Sequence, residues 1–162
     1  MLIFIDTEFT DFNAPELISI ALVTEDGQHE FYAELPFNPE KCNAFVIENV
    51  LPQLGVIAGA QCTADELRES LNLWLAPFAT SSPVICFDYD GDWSLFCQAL
   101  RHQLPEWLRG QNVFPFLDPL ALQAYFIDNR LRDHHALNDA KANRHAFRKD
   151  LVRNPSISRR SR

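Results

Sequence analysis

The sequence predicts an α/β fold in which helices flank a mixed β-sheet. Three strand-like segments come first, and helices then alternate with two further strands. The chain has 162 residues, which suits one domain with a single core. Hydrophobic residues make up 47% and charged residues 22%, so a globular protein is favoured over a disordered or fibrous one.

The first three strands are predicted from β-rich runs joined by a hairpin signal. Leu2 to Ile5 forms a run that ends at Asp6, and Leu17 to Thr24 forms the second run. The Glu-Asp-Gly-Gln sequence at 25–28 is typical of a turn. The alternating run from His29 to Leu35 is therefore predicted to return as an antiparallel strand.

Helices and strands alternate in the second half of the chain. Thr63 and Glu66 have capping-box spacing, which predicts a helix over 63–76. A buried strand is predicted at 84–87, followed by an Asp-rich turn and a helix that carries Trp93. The remaining predicted elements are a strand at Val113 to Phe116, a helix from Asp118-Pro119 to about Phe126, and a last helix from Ala136 with an apolar stripe of Leu137, Ala140, Phe147 and Leu151.

Charge is distributed unevenly along the chain. Residues 1–129 hold 4 basic and 19 acidic side chains, whereas residues 130–162 hold 10 basic and 3 acidic ones, within a net charge of −8. An acidic body repels nucleic acid, so charge alone favours an acidic globular protein with a solvated basic end. We expect a single domain over 1–152 and a basic, flexible tail over 153–162.

Neither the cysteines nor the first residues indicate export. The four cysteines, at positions 42, 62, 86 and 97, contain no CxxC pair, so neither a disulfide framework nor a cysteine zinc site is indicated. The start has an apolar run of only four residues and no basic leader. These features predict a cytoplasmic protein that does not enter a membrane.

Acidic residues occur at three places where a strand or helix begins or ends. Asp6 and Glu8 are two apart at the end of the first strand, so their side chains point to the same side. Two carboxylates this close repel each other, and a divalent cation relieves that cost. The other two places are an acidic turn with Asp88, Asp90 and Asp92, and a last helix with Asp139 five residues after His134.

This ordered set resembles the DEDD superfamily of 3′-5′ exonucleases, in the branch with a histidine in its third motif. That branch includes ribonuclease T and proofreading subunits of DNA polymerases. The run Asp6-Thr7-Glu8-Phe9 matches the first motif, and His134 to Asp139 matches the third. Together with the run from Glu16 to Val23, these two motifs make the chain most similar to a small stand-alone exoribonuclease group. The resemblance implies a ribonuclease-H-like fold with a mixed five-stranded sheet.

The second motif departs from the pattern of that superfamily. Members have an Asn before an aromatic-Asp step, and this chain has several Asp residues and no Asn there. Asp92 is the preferred match, because apolar residues follow it at helical spacing. Asp90, which follows an aromatic residue, is the alternative.

The resemblance also implies a mechanism with two Mg²⁺ or Mn²⁺ ions, which suit carboxylate ligands. Asp6 would bridge the ions, Glu8, Asp92 and Asp139 would complete their shells, and His134 would take a proton from the attacking water. His135 is an alternative base, but its spacing to Asp139 is one residue short. The candidate substrate contacts are Thr7, Phe9, Phe12, Trp93 and His134, with Arg130, Arg132, Lys141, Arg144 and Arg148 for phosphates.

The implied function is metal-dependent release of nucleoside 5′-monophosphates from single-stranded or 3′-overhanging RNA. A 3′-5′ DNA exonuclease shares the same residues, and a catalytically silent nucleic-acid-binding module shares the fold. Homodimers are common in the superfamily, which leaves a homodimer open here. Its apolar patch would come from Trp74, Phe78, Phe45 or Val46.

Overall fold

A computed structural model describes residues 1–153 of the chain. The predicted tail over 153–162 falls, apart from its first residue, outside these described residues. The strands are β1 (Leu2–Phe9), β2 (Leu17–Thr24), β3 (Glu30–Glu34), β4 (Val84–Phe87) and β5 (Arg109–Asn112). The helices are α1 (Ala44–Asn49), α2 (Ala64–Leu75), α3 (Asp90–Ala99), α4 (Pro119–Asn129), α5 (Ala136–Ala146) and α6 (Lys149–Arg153).

The five strands form one mixed sheet in the order β3-β2-β1-β4-β5. Strand β1 lies in the centre, antiparallel to β2 and parallel to β4. The prediction of an α/β fold with a five-stranded mixed sheet flanked by helices is confirmed, and the architecture is consistent with a ribonuclease-H-like fold.

Helices cover both faces of the sheet, and the side chains of β1 alternate between the two cores that lie beneath them. Ile3 and Ile5 are fully buried in a cluster that includes Leu71 of α2 and Phe96 of α3. The opposite face carries Phe4, whose ring meets Phe147 edge to face at 5.4 Å. Helix α5 packs on that second face through small alanines against β2. The alternation therefore decides which helix each residue of β1 meets.

Strand β1 is longer than the sequence predicted. It continues past Ile5 to Phe9, with an irregularity in its pairing between Glu8 and Phe9. Asp6 and Glu8 stay in the strand because they pair with Ala21 and Ser19 of the neighbouring strand β2. The backbone ladder thus holds both carboxylates in fixed positions on one face.

The predicted strand at 113–116 is wrong in position. The fifth strand is Arg109–Asn112, a run without β-branched or aromatic residues, held at the sheet edge by parallel pairing with β4. The next residues, Phe114–Phe116, form a turn of 3₁₀ helix. Pro115 lacks the N–H that a strand ladder needs, which explains why the strand ends before it.

The last predicted helix is also shorter than its apolar stripe indicated. Helix α5 ends at Ala146, and Phe147 adopts an extended conformation. A backbone bridge between Phe147 and Leu117 and the contact of its ring with Phe4 turn the chain back onto the sheet. Leu151 belongs to the separate short helix α6. By contrast, the helix predicted over 63–76 is confirmed with its capping box.

The sequence did not predict the structure between β3 and α2. Residues 39–53 contain helix α1 between two short 3₁₀ helices. Asn43 caps α1 by accepting a hydrogen bond from the N–H of Val46 at 2.9 Å. Val46 and Val50 are buried against Ile18 of β2. This short apolar cluster fixes the segment beside the end of β1.

The side chains considered for an apolar interface have different environments. Val46 is buried, and Trp74 and Phe78 pack against each other with ring centroids 5.1 Å apart. Phe45 is half exposed. In the part of the chain that the structure describes, no helix is long and apolar enough to span a bilayer.

Leu71 and Leu73 of α2 form a matched pair for testing this core. Leu71 is completely buried and Leu73 is 69% exposed. We expect Leu71→Ala to lower the free energy of unfolding by about 2–5 kcal/mol, because it leaves a cavity in the core. Leu73→Ala should change it by less than about 0.5 kcal/mol. Urea denaturation of both variants measures this, and equal losses would contradict the assigned helix face.

Candidate active site

A cavity of about 470 Å³ lies at the end of β1, beside the end of β4. Its polar lining is mostly acidic, and part of its wall is aromatic. Among the described residues no lysine or arginine lines it. The acidic side chains are Asp6, Glu8, Asp88, Asp92 and Asp139, and the aromatic ones are Phe9, Phe12, Phe45 and Tyr89.

The carboxylates reach the cavity from both sides of the sheet. Asp6 and Glu8 project from β1 on the face that α5 covers, and Asp139 comes from the first turns of α5. Asp92 comes from α3, which packs on the opposite face. The structure therefore brings together all four carboxylates that the sequence singled out, from three separate elements.

Thr7 holds Asp92 in place. Its backbone N–H and its hydroxyl both donate to Asp92 Oδ1, at 3.2 and 2.6 Å. Alternation along β1 turns the buried Thr7 side chain to the α3 face, away from Asp6 and Glu8. The sequence offered Thr7 as a substrate contact, whereas in the structure its hydroxyl is bound to a carboxylate.

The acidic run that spans the turn before α3 and the first turn of α3 supplies two carboxylates to the cavity and keeps a third outside. Asp92 is buried in the cavity, whereas Asp90 is exposed and accepts a hydrogen bond from Asn112 Nδ2 at 2.8 Å. Asp88 also lines the cavity, where Asn143 of α5 donates to it at 3.0 Å. The sequence contained a signal for Asp88: continued alternation past Phe87 puts its side chain on the face of Asp6.

The carboxylates form two groups of three that share Asp6. Carboxylate oxygens of Asp6, Glu8 and Asp139 lie within 4.8 Å of one another, and the same holds for Asp6, Asp88 and Asp92. Hard divalent cations prefer such all-oxygen ligand sets. The residues present therefore fit two cations with one shared ligand.

Burial and mutual repulsion raise the pKa of these acids. Burial, followed by the charges of the neighbouring acids, raises the pKa of Asp6 well above its usual value. The same causes raise the pKa of Glu8 to about 9. Burial raises the pKa values of Asp92 and Asp139 to about 7 and also raises that of Asp88. A bound cation would reverse these shifts by stabilising the charged forms.

His134 and His135 occupy different environments at the start of α5. His134 lines the cavity, and its Nε2 lies 3.5 Å from an oxygen of Asp133. Its backbone has a φ of 61°, a left-handed conformation that costs about 1–2 kcal/mol for a residue with a side chain. His135 is buried, and its ring stacks on Tyr32 at 4.9 Å. The side chain that faces the carboxylates is thus His134.

The backbone of His135 also holds Asp139. Its N–H donates to Asp139 Oδ2 at 2.8 Å, which fixes that carboxylate at the first turn of α5. Burial lowers the pKa of the His135 side chain. His135 therefore contributes to the site through its backbone N–H, whereas its ring packs on Tyr32.

Three aromatic rings form a rim at one side of the cavity. Phe9 meets Phe12 edge to face at 5.2 Å and lies parallel to Tyr89 at 6.1 Å. Phe12 and Tyr89 are substantially exposed. Gly91 permits this arrangement, because a Cβ there would lie 2.1 Å from the Tyr89 ring. The sequence indicated Phe9 and Phe12, and the structure adds Tyr89.

Two other candidate substrate contacts lie away from the cavity. Trp93 packs on the α3 face between Phe87 and Phe96, with ring centroids at 5.8 and 5.6 Å, and Gly110 lies against its indole. The position after Asp92 faces the sheet, which explains why Trp93 joins the core. Arg130 ends α4 in an exposed left-handed conformation and does not line the cavity.

Comparisons with known proteins give a partial match. No family model matches the chain. The chain is similar to two curated 3′-5′ exoribonucleases of Mycobacterium tuberculosis, one from each of two strains, with 44% identity over 52 residues. The match covers 32% of this chain and 31% of each relative, so it spans about a third of their length.

The raised pKa values predict how the stability of the metal-free protein depends on pH. An acid whose pKa is higher in the folded state contributes stability at low pH, and that contribution is lost as pH rises through the folded pKa. For Asp92 and Asp139 the loss occurs up to about 7, and for Glu8 up to about 9. We therefore expect the melting temperature in chelator to fall between about pH 6.5 and pH 9.

Mn²⁺ should restore most of the lost stability at the higher pH. Glu8→Gln should weaken the pH dependence of the melting temperature, because one of these acids no longer titrates. The exposed residue Glu69 offers the control variant Glu69→Gln, which should behave like the parent. A melting temperature that rises with pH over this range would contradict the electrostatics of the cavity.

Proposed function

We propose that this protein is a metal-dependent 3′-5′ exoribonuclease that releases nucleoside 5′-monophosphates from single-stranded or 3′-overhanging ends. The observation that carries the proposal is that two sets of three carboxylates share Asp6 and lie in one cavity with His134. The partial similarity to 3′-5′ exoribonucleases supports it independently.

Two Mg²⁺ or Mn²⁺ ions are the cofactors of the proposed reaction. Asp6 would be the shared ligand, with Glu8 and Asp139 on one side and Asp88 and Asp92 on the other. When bound, such ions favour formation of the nucleophile and stabilise charge on the leaving 3′ oxygen. Asp88 is the ligand that this proposal adds to the set expected from the sequence.

His134 serves as the general base in this proposal. Its imidazole takes a proton from a water molecule, whose oxygen attacks phosphorus while the bond from phosphorus to the 3′ oxygen breaks. The leaving 3′ oxygen gains a proton from solvent, and the products are a nucleoside 5′-monophosphate and a shortened strand. His134 lies at the cavity wall beside the carboxylates, where it can reach such a water.

The rim of Phe9, Phe12 and Tyr89 would bind the 3′-terminal base. Aromatic side chains bind bases by stacking, which requires no positive charge and no particular base. Stacking is needed here because no described lysine or arginine lines the cavity. The acidic body would hold a long duplex poorly, so the proposed substrates are short single strands and overhangs.

RNA is preferred to DNA as the substrate because the matched relatives are exoribonucleases. A 3′-5′ DNA exonuclease would use the same carboxylates. A silent binding module would have lost a ligand or the base, whereas side chains that line this cavity can fill all five positions.

The proposal is tested by mononucleotide release from a 3′-overhanging RNA and its DNA counterpart, with Mg²⁺, Mn²⁺ or chelator. We expect stepwise, metal-dependent release that falls more than about a hundredfold in Asp6→Asn. Asp128→Asn, at an exposed position of α4, is the control and should keep parental activity. Failure to cleave either polymer would refute the proposed function, and rapid degradation of blunt duplex DNA would refute the preferred substrate.

Asp88 and Asp90 provide a matched test of the ligand set. Asp88→Asn removes a carboxylate charge from the cavity, whereas Asp90→Asn changes an exposed residue two positions away. We expect the first variant to lower kcat about tenfold or more and to need more Mn²⁺, and the second to stay within about twofold of the parent. Equal activity of both variants would exclude Asp88 as a ligand.

A further inference from the structure

One segment of the chain contacts His134 at two points. This segment, residues 43–54, contains α1 and the short 3₁₀ helix after it. The ring of Phe45 meets the His134 imidazole edge to face, with centroids 4.7 Å apart. Gln53 Nε2 shares its two hydrogens among three backbone carbonyls. Those of Asp133 and His134 lie at 2.7 and 2.9 Å, and that of Asn49 in α1 lies at 2.9 Å. The segment therefore contacts both the ring and the backbone of the candidate base.

His134 requires such support. It precedes α5 and has a left-handed backbone conformation, which a residue with a side chain adopts only when its surroundings hold it there. Its side chain is 39% exposed, so packing encloses it only in part. Hydrogen bonds to the carbonyls of residues 133 and 134 stabilise this turn directly, at the two peptide units that flank the φ and ψ angles of His134.

The segment that carries Gln53 is itself fixed to the sheet. Val46 and Val50 are buried against Ile18 of β2. Just after the segment, the N–H of Gly55 donates to both oxygens of the buried Glu34 side chain, at 3.0 Å each. Gln53 thus links the turn at His134 to a segment that packs on β2 and is hydrogen-bonded to β3.

We propose that Gln53 is a positioning residue that keeps the His134 imidazole directed at the acidic cavity. Gln53 does not line the cavity, so it acts through His134. Its amide holds the left-handed turn, and Phe45 limits the rotation of the ring. This inference rests on the proposed function, in which His134 is the general base.

The first test compares Gln53→Ala and Gln53→Glu with the parent. Gln53→Glu keeps the length of the side chain and removes its N–H donors. Both variants should lower kcat about tenfold or more, because a misplaced base transfers its proton less efficiently, with KM within about twofold of the parent. Asn72→Ala, which removes an amide-to-carbonyl hydrogen bond of α2 far from the cavity, is the control and should be unchanged.

A double-mutant cycle shows whether Gln53 acts through His134. In a His134→Ala background, Gln53→Ala should change the residual rate by less than about twofold, because the group that it positions is already gone. The increase of the melting temperature with Mn²⁺ should be the same in Gln53→Ala and the parent. An equal loss of rate in both backgrounds, or a weaker response to Mn²⁺, would overturn the proposal.

Hydrogen exchange separates this proposal from the proposed function. Amide exchange over residues 131–138 should become at least about tenfold faster in Gln53→Ala, while exchange in α2 stays the same. If the parent released no nucleotide, the proposed function would fail, and the exchange would still decide whether Gln53 holds the turn. Unchanged exchange over 131–138 would overturn the positioning role whatever the activity.

Discussion

The site depends on one electrostatic constraint, the repulsion among five carboxylates in a partly buried cavity. The backbone ladder of β1, in the centre of the sheet, fixes Asp6 and Glu8 on one face. Helices on the two faces carry Asp92 and Asp139, and the turn after β4 carries Asp88. The raised pKa values follow from this repulsion, because the metal-free protein retains protons on some of these acids. A bound cation would favour their charged forms instead.

Neutral hydrogen-bond donors, rather than positively charged side chains, orient these carboxylates. Thr7 donates to Asp92, Asn143 to Asp88, and the N–H of His135 to Asp139. A neutral donor fixes the direction of a carboxylate without cancelling its charge, whereas a lysine or arginine would compete with a metal ion. The supporting residues therefore hold the geometry and preserve the negative charge, as the proposed two-ion reaction requires.

The surroundings of the cavity explain how an acidic protein could bind a polyanion. The rim of Phe9, Phe12 and Tyr89 offers surfaces for stacking, and cations at the carboxylates would offset local charge. The segment 43–54 also lines the cavity, and its Phe45 and Gln53 contact His134. In the proposed reaction, substrate binding thus depends on the 3′ end of the nucleic acid and little on its length.

Local patterns in the sequence determined much of this protein. The capping box at Thr63, the hairpin turn at 25–28 and the strand that begins at Leu2 were predictable, because each depends on neighbouring residues. Edge strand β5 was not, since its RGQN sequence forms a strand only through pairing with β4.

Tertiary structure alone decided the remaining features of the site. It left Asp90 outside the cavity, packed Trp93 against the core and engaged Thr7 with Asp92. It also brought Gln53 to His134 across 81 positions of the chain. Spacing along a sequence shows which residues share a face, but distances between elements are set by how the helices pack on the sheet.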